Sequence, residues 1–440
     1  MTFRRSTPSA VSLFVFTTGD FAFNLYWQGV TLYLLYFYID VLALPPAIAG
    51  TVFMVGALWD GVADLAVAAI IERTRVSYRR MIGWGAVPLG GAFVLMFAHT
   101  ARSAVALLLL QIVFRTLYAA TNTPYAAWTA RLSDRSSVRT MLTGIRMMFG
   151  AAAAMLVALG LPWLAERSAS PAAVGWSHAA ALFVLAATPL LLIVVWIVPE
   201  PVRPATLQQT ALRPQFAALV RNRAFVLLNV AAAAGSAATM LLSQSIPYYF
   251  RYVVQDTARG PQVLAAMAVA GAVALPAWTV LAQRTGARTA WLCAILLAIL
   301  CLGAVAVSGR DGALPITALA VAFACFGLAG WSLVPDSVDW GEAHDGIRAE
   351  TLAFGAFAFV QKAALAGTGL LIGATYQANG FVAGAAQTAA TIHAIHWLML
   401  GGPALLIAVC ALAVLRLPLR RGTIAALRGR REPPAPIKRA

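Results

Sequence analysis

The sequence predicts an all-α integral membrane protein, with twelve transmembrane helices in two six-helix halves. Three observations carry that prediction. Of the 440 residues, 61% are hydrophobic and only 11% charged, far outside the composition of a water-soluble globular chain. Apolar runs near the ~20 residues that a bilayer requires recur along the whole length. A polar, proline-rich break after the sixth run divides them evenly.

The runs fall at 10–39, 47–71, 81–98, 103–127, 140–164, 177–198, 224–250, 261–282, 289–308, 314–334, 351–376 and 391–415. The first follows only a short basic and polar segment, has no small-residue cleavage site in place and contains Asp20, so it is expected to be a retained helix and not a signal peptide. The second carries Asp60 and Asp64, the fourth Arg115 and the fifth Arg146. The sixth closes on Val198-Pro199-Glu200-Pro201, and a segment with Arg203, Pro204, Arg213, Pro214, Arg221 and Arg223 leads into the seventh. The eleventh carries Lys362. This organisation gives an N-terminal half at 1–199, a central loop at 200–223, a C-terminal half at 224–416 and a basic tail at 417–440. Glu72-Arg73-Thr74 after the second run and Gln283-Arg284-Thr285 after the eighth echo each other, each soon followed by a basic residue, as a pair of parallel repeats would place them. Intramembrane Pro124, Pro162, Pro247 and Pro276 and the run Gly367-x-Gly369-x-x-x-Gly373 fit kinked, closely packed helices and say nothing of cargo.

The net charge of +16 suggests nucleic acid until the charges are placed on this topology. Most Lys and Arg fall at the N-terminus, in the even-numbered loops and in the tail, while the odd-numbered loops hold Arg102, Arg167, Arg251, Arg259 and Arg310. The positive-inside rule then puts both termini in the cytoplasm of a multi-pass protein of the cytoplasmic membrane. The tail cluster from Arg416 to Arg439 is expected against anionic lipid headgroups, and no nucleic-acid partner is expected. Cys293, Cys301, Cys325 and Cys410 lie inside apolar runs without metal-ligand spacing, and His393-x-x-His396 has no third ligand nearby. No nucleophile, acid–base pair or metal cluster supports an enzyme, and no cofactor is expected beyond a coupling ion.

The intramembrane charges point to function. Asp60 and Asp64 lie one turn apart on one helix face, in a setting where a charged group costs roughly 2.5–3.5 kcal/mol on insertion scales. Such a pair calls for a cation, a shared proton or a basic partner. Lys362 is that candidate: it and Lys438 are the only lysines of a chain that otherwise uses arginine, and an ammonium exchanges its charge far more readily than a guanidinium. If Lys362 competes with H⁺ or Na⁺ for the two acids, occupancy changes the favoured conformation. The competing reading is a static ion-pair network that fixes helix register. Asp20, Asn24, Tyr26, Trp27, Gln28, Arg115 and Arg146 could line one polar cavity, with Ser243, Gln244, Ser245, Tyr248 and Trp331 on its other wall.

These residues carry a family resemblance. Gly19-Asp20-Phe21-Ala22, Tyr38-Ile39-Asp40-Val41-Leu42, Trp59-Asp60-x-x-x-Asp64, Glu72 through Arg80, Asp336-Ser337-Val338-Asp339-Trp340-Gly341-Glu342, Gly346-Ile347-Arg348-Ala349-Glu350 and Gln361-Lys362 resemble the glycoside-pentoside-hexuronide:cation symporters of the major facilitator superfamily. The resemblance covers most of the chain and implies a twelve-helix, alternating-access carrier; a small-molecule substrate, such as a glycoside, and a monomeric state are expected. It matches Asp60, Asp64 and Lys362 to cation binding and coupling, Asp20 and Arg146 to sugar binding, and Asp339, Glu342, Arg348 and Glu350 to a cytoplasmic gate. Asn122 stands where better-studied sugar carriers have an acid, and Ala63 and Ala119 stand where they offer oxygen ligands. Fewer oxygens favour H⁺ over Na⁺. The alternatives are a carrier or exporter of an amphipathic solute or lysolipid on the same scaffold, or a non-transporting sensor or scaffold.

Overall fold

The computed structural model describes residues 10–74, 76–98, 103–129, 132, 136–167, 172–200, 212–308, 312–347 and 349–420, and every regular element among them is helical. The elements are α1 (Ala10–Gln28), α2 (Pro46–Thr74), α3 (Tyr78–Met96), α4 (Ala104–Thr129), α5 (Ser136–Arg167), α6 (Ala172–Ile197), the short α7 (Leu212–Arg221), α8 (Arg223–Tyr248), α9 (Arg259–Thr285), α10 (Ala287–Val307), α11 (Ala313–Asp345), α12 (Glu350–Ala378), α13 (Ala389–His396) and α14 (Gly402–Arg416). α1 runs on through π-helical turns at Gly29–Leu34 and Phe37–Val41, α8 through one at Tyr249–Val254, and Trp397–Gly401 joins α13 to α14. Ten helical stretches among the described residues are long and apolar enough to cross a bilayer. The first and third predicted runs are helical but not among the ten: α1 carries Asp20, Asn24 and Gln28, and α3 opens on Arg79 and Arg80.

Several threonine hydroxyls inside these helices donate to carbonyls of their own helix. Thr17 donates to the Phe14 carbonyl at 2.6 Å, Thr31 to Trp27 at 2.9 Å and Thr121 to Leu117 at 2.9 Å. Helix starts are fixed by side chains. Ser77 and the Glu200 carboxylate accept from the first amides of α3, at 3.3 Å from Arg80 N and 2.7 Å from Tyr78 N. Asn222 accepts from Phe225 N at 3.1 Å and donates to the Ser337 carbonyl at 2.8 Å, which ties the start of α8 to α11.

Within α1–α6, α4 lies against α2 and α3, and α6 against α1, α3 and α5. Within α8–α14, α11 lies against α8, α9 and α10, and α14 against α8 and α10. The two groups meet chiefly along α2 against α12 and α5 against α9. Glycines permit the first contact: a Cβ at Gly50 would sit 2.5 Å from the Gly369 carbonyl and one at Gly373 2.3 Å from the Pro46 carbonyl. Backbones touch there with no room for a methyl group. One arginine contact occurs in both groups of helices. Arg79 at the start of α3 donates to the Val195 and Trp196 carbonyls ending α6, at 2.7 and 3.4 Å, and Arg288 at the start of α10 donates to the Val414 and Leu415 carbonyls ending α14, at 3.0 and 2.8 Å. Each guanidinium donates to carbonyls in the last turns of a helix.

Candidate functional site

Lys362 of α12 reaches both acids of α2. Its Nζ lies 2.6 Å from Asp60 Oδ2 and donates in a short ion pair to Asp64 Oδ2. This reach depends on small residues, because a Cβ at Gly61 would meet the Phe359 ring at 2.7 Å. The two acids then differ. The Asp60 side chain is 2% exposed and has behind it the Arg115 guanidinium, 1% exposed, at 3.9 Å. Arg115 is held in turn by Gln111 Oε1 at 3.4 Å and lies over the Phe53 ring. Asp64 is 34% exposed and accepts from Thr123 Oγ1 at 3.1 Å. Two carboxylates and two bases form one cluster, closed at Asp60 and open at Asp64.

Two sequence expectations change here. Arg115 does not line a cavity: it faces inward as the fixed partner of Asp60, because a guanidinium so deeply buried needs a carboxylate. Ala63 and Ala119 are buried as expected of small residues, but Thr123 brings a hydroxyl to the site that their replacement of oxygen ligands did not foretell.

On α1, Asp20 accepts the Nε and Nη2 fork of Arg146 from α5, the second bond at 3.0 Å. The guanidinium lies 5.5 Å from the centre of the Tyr125 ring, whose hydroxyl donates to the Phe16 carbonyl at 2.6 Å. Asn122 is half-buried, on the α4 face it shares with Tyr118 and Tyr125 at helical spacing. Trp27, seven residues from Asp20, stacks on Tyr118. Tyr26 turns elsewhere: it is fully buried, its hydroxyl 2.9 Å from Thr188 Oγ1 of α6 and its ring against Phe93. One residue of helical offset from Trp27 puts it on the packing face. Gln244, expected on an open wall, is 2% exposed and works as a strut, donating to the Thr31 carbonyl at 3.3 Å and accepting from Thr368 at 3.4 Å. Trp331 is exposed on α11 and packs edge-on against Phe357 at 4.9 Å.

Asp339 and Glu342 are half-buried in the last turns of α11. Arg348 and the Glu350 side chain lie outside the described residues, as does the tail beyond Arg420. A charged closure that sequence reasoning missed sits at the opposite end of the bundle. Arg251 pairs with the fully buried Asp40 at 2.5 Å and donates to Tyr36, while Tyr252 donates to Asp40 and accepts from Gly384 N at 2.9 Å. Tyr248 packs edge-on between Tyr36 and Tyr376. The available signal was Arg251 itself, one of few basic residues in the odd-numbered loops.

The fold is an all-helical bundle with ten stretches, among the described residues, long and apolar enough to cross a bilayer. Solved carriers share it: a D-xylose-proton symporter superposes with a TM-score of 0.68 at 14% identity, over 93% of this chain and 97% of that one, and nucleoside transporter NupG with a TM-score of 0.69 at 14% identity, over 92% and 99%. Residues 15–421 match the MFS/sugar transport protein family, and the chain belongs to it. Among its relatives, the isoprimeverose transporter of Lactiplantibacillus pentosus is 28% identical over 402 residues, covering 87% of this chain and 83% of that one. The glucuronide carrier protein homolog of Escherichia coli is 24% identical over 395 residues, 86% of each. These names agree with the glycoside-pentoside-hexuronide resemblance, and the protein is a multi-pass transporter of the sugar-carrier type and not an enzyme.

Proposed function

We propose that this protein is an H⁺-coupled symporter of a glycoside or related polar solute in the bacterial inner membrane, built as twelve spans in two halves and working by alternating access. The observation that carries the coupling is Lys362 shared between Asp60 and Asp64. A proton delivered to the exposed Asp64 removes one carboxylate from the cluster and leaves the ammonium to Asp60 alone, which weakens a tie between α2 and α12. That supplies the difference in free energy between two conformations that coupling needs. H⁺ is favoured over Na⁺ because Arg115 and Lys362 already balance both acids, and a hard cation would have to displace the ammonium and gather several oxygens. Asp20 and Arg146 bind solute hydroxyls at the junction of α1 and α5. The arginine-rich ends of the helices face the cytoplasm, so the Asp40–Arg251 closure seals the outer side. The structure then corresponds to the cytoplasm-open state.

Support from relatives is at the level of substrate class, since several are named for sugars or glycosides. The test is uptake of labelled glycosides into proteoliposomes under an imposed pH gradient or Na⁺ gradient. Accumulation with the pH gradient alone is expected. Accumulation with Na⁺ alone removes H⁺ coupling, and none under either gradient removes glycoside symport.

A further inference from the structure

A cavity of about 280 Å³ opens between α1, α8, α11 and α12 beside Lys362. That is just under the ~300–1,000 Å³ range of pockets for whole drug-sized ligands, so it suits one part of a solute. Its walls are aromatic and apolar: Trp27, Phe323, Phe326, Phe357 and Met240 contribute. The polar groups present are largely spent. Ser236 donates to Gln361 Oε1 at 3.3 Å, and Thr239 donates to the Gly235 carbonyl at 2.9 Å. Lys362 is committed to the two acids. The Gln361 Nε2 amide is buried without a hydrogen-bond partner among the described residues.

A sugar ring placed here would leave most of its hydroxyls unpaired in an apolar enclosure, which is costly. An aromatic or aliphatic group would bury apolar surface against rings at no such cost. The groups suited to a sugar lie elsewhere, at Asp20 and Arg146. Trp27 links the two places, because seven residues along α1 correspond to about 10 Å of rise, the reach of a sugar ring plus its glycosidic substituent.

We infer that this compartment is an aglycone subsite and that the physiological solute is an amphipathic glycoside. Its sugar meets Asp20 and Arg146, its apolar aglycone fills the space between Trp27 and the α11 phenylalanines, and Gln361 Nε2 donates to an acceptor near the linkage. The inference rests on the glycoside reading and narrows it. Gly327 lines the compartment and has open space where a Cβ would stand, so Gly327→Leu fills the cavity without a backbone clash.

The experiment compares methyl and phenyl glycosides of the same sugars, by KM for pH-gradient-driven uptake into proteoliposomes. Phenyl glycosides are expected to show KM values at least about tenfold lower, as burial of a ring implies. In Gly327→Leu the two KM values should converge. Equal KM values in the unmodified protein, with both series transported, overturn the subsite and leave glycoside symport standing. A preference that survives Gly327→Leu places the aglycone elsewhere and also overturns it. Transport of neither series removes the glycoside reading and this one together.

Discussion

At the scale of single residues, Asp60 and Asp64 differ in surroundings more than in chemistry. Asp60 is enclosed with the equally buried Arg115 guanidinium at 3.9 Å. Asp64 has access to solvent and a hydroxyl donor, and is the member to which the proposed function assigns proton exchange. Removing one partner of a buried ion pair costs about 3–5 kcal/mol. Arg115→Gln is therefore expected to lower the melting temperature of the purified protein markedly, and Asp60→Asn with Arg115→Gln to recover much of the loss. An unchanged melting temperature in the single variant would show that the pair is not enclosed as described. The acids and Lys362 were legible in the sequence because a charge in an apolar run always needs a partner. That Arg115 stands behind Asp60 was not, since helical spacing ranks residues along one helix and cannot rank contacts between α2 and α4.

Among the elements, α2 and α12 touch backbone to backbone at Gly50, Gly369 and Gly373 and carry the acids and the lysine about two to four turns away along the same contact. In the proposed coupling, this close, glycine-lined contact is where a change of charge would move one helix against the other. The ends of α1 and α8 close the opposite side through Asp40, Arg251, Tyr36 and Tyr252. Hydrogen bonds to charged groups contribute about 1.5–3 kcal/mol each, enough to shift a two-state balance by roughly tenfold or more. In a cysteine-free background with Cys at position 239, Arg251→Gln is expected to raise the rate of labelling by an impermeant thiol reagent from outside about tenfold. Equal rates would show that this cluster does not hold the outer side shut. The run containing Tyr38-Ile39-Asp40 was visible as a motif, but its closure with Arg251 depends on π-helical turns in both α1 and α8, and nothing in apolar periodicity reports such turns.

Across the whole molecule, Arg79 on α6 and Arg288 on α14 make like contacts where the sequence carried only a faint tripeptide echo. Backbone carbonyls as partners explain the faintness, because they demand an arginine at one place and nothing of the residues it caps. The helical class and most spans were plain from hydropathy, since bilayer thickness imposes length on every helix alike. The asymmetry between the two sides of the solute path was not plain: charged groups on α1 and α5 announce themselves, whereas the aromatic compartment on α8, α11 and α12 looks like ordinary packing until the cavity is seen. The proposed function assigns the coupling proton to Asp64 and the solute to Asp20 and Arg146, and on that reading the two are separable by mutation. The direct test is Asp64→Asn in proteoliposomes, measuring both pH-gradient-driven accumulation and equilibrium counterflow of a transported glycoside. Lost accumulation with counterflow retained is the predicted result, and accumulation equal to that of the unmodified protein would contradict the assignment of the coupling proton to Asp64.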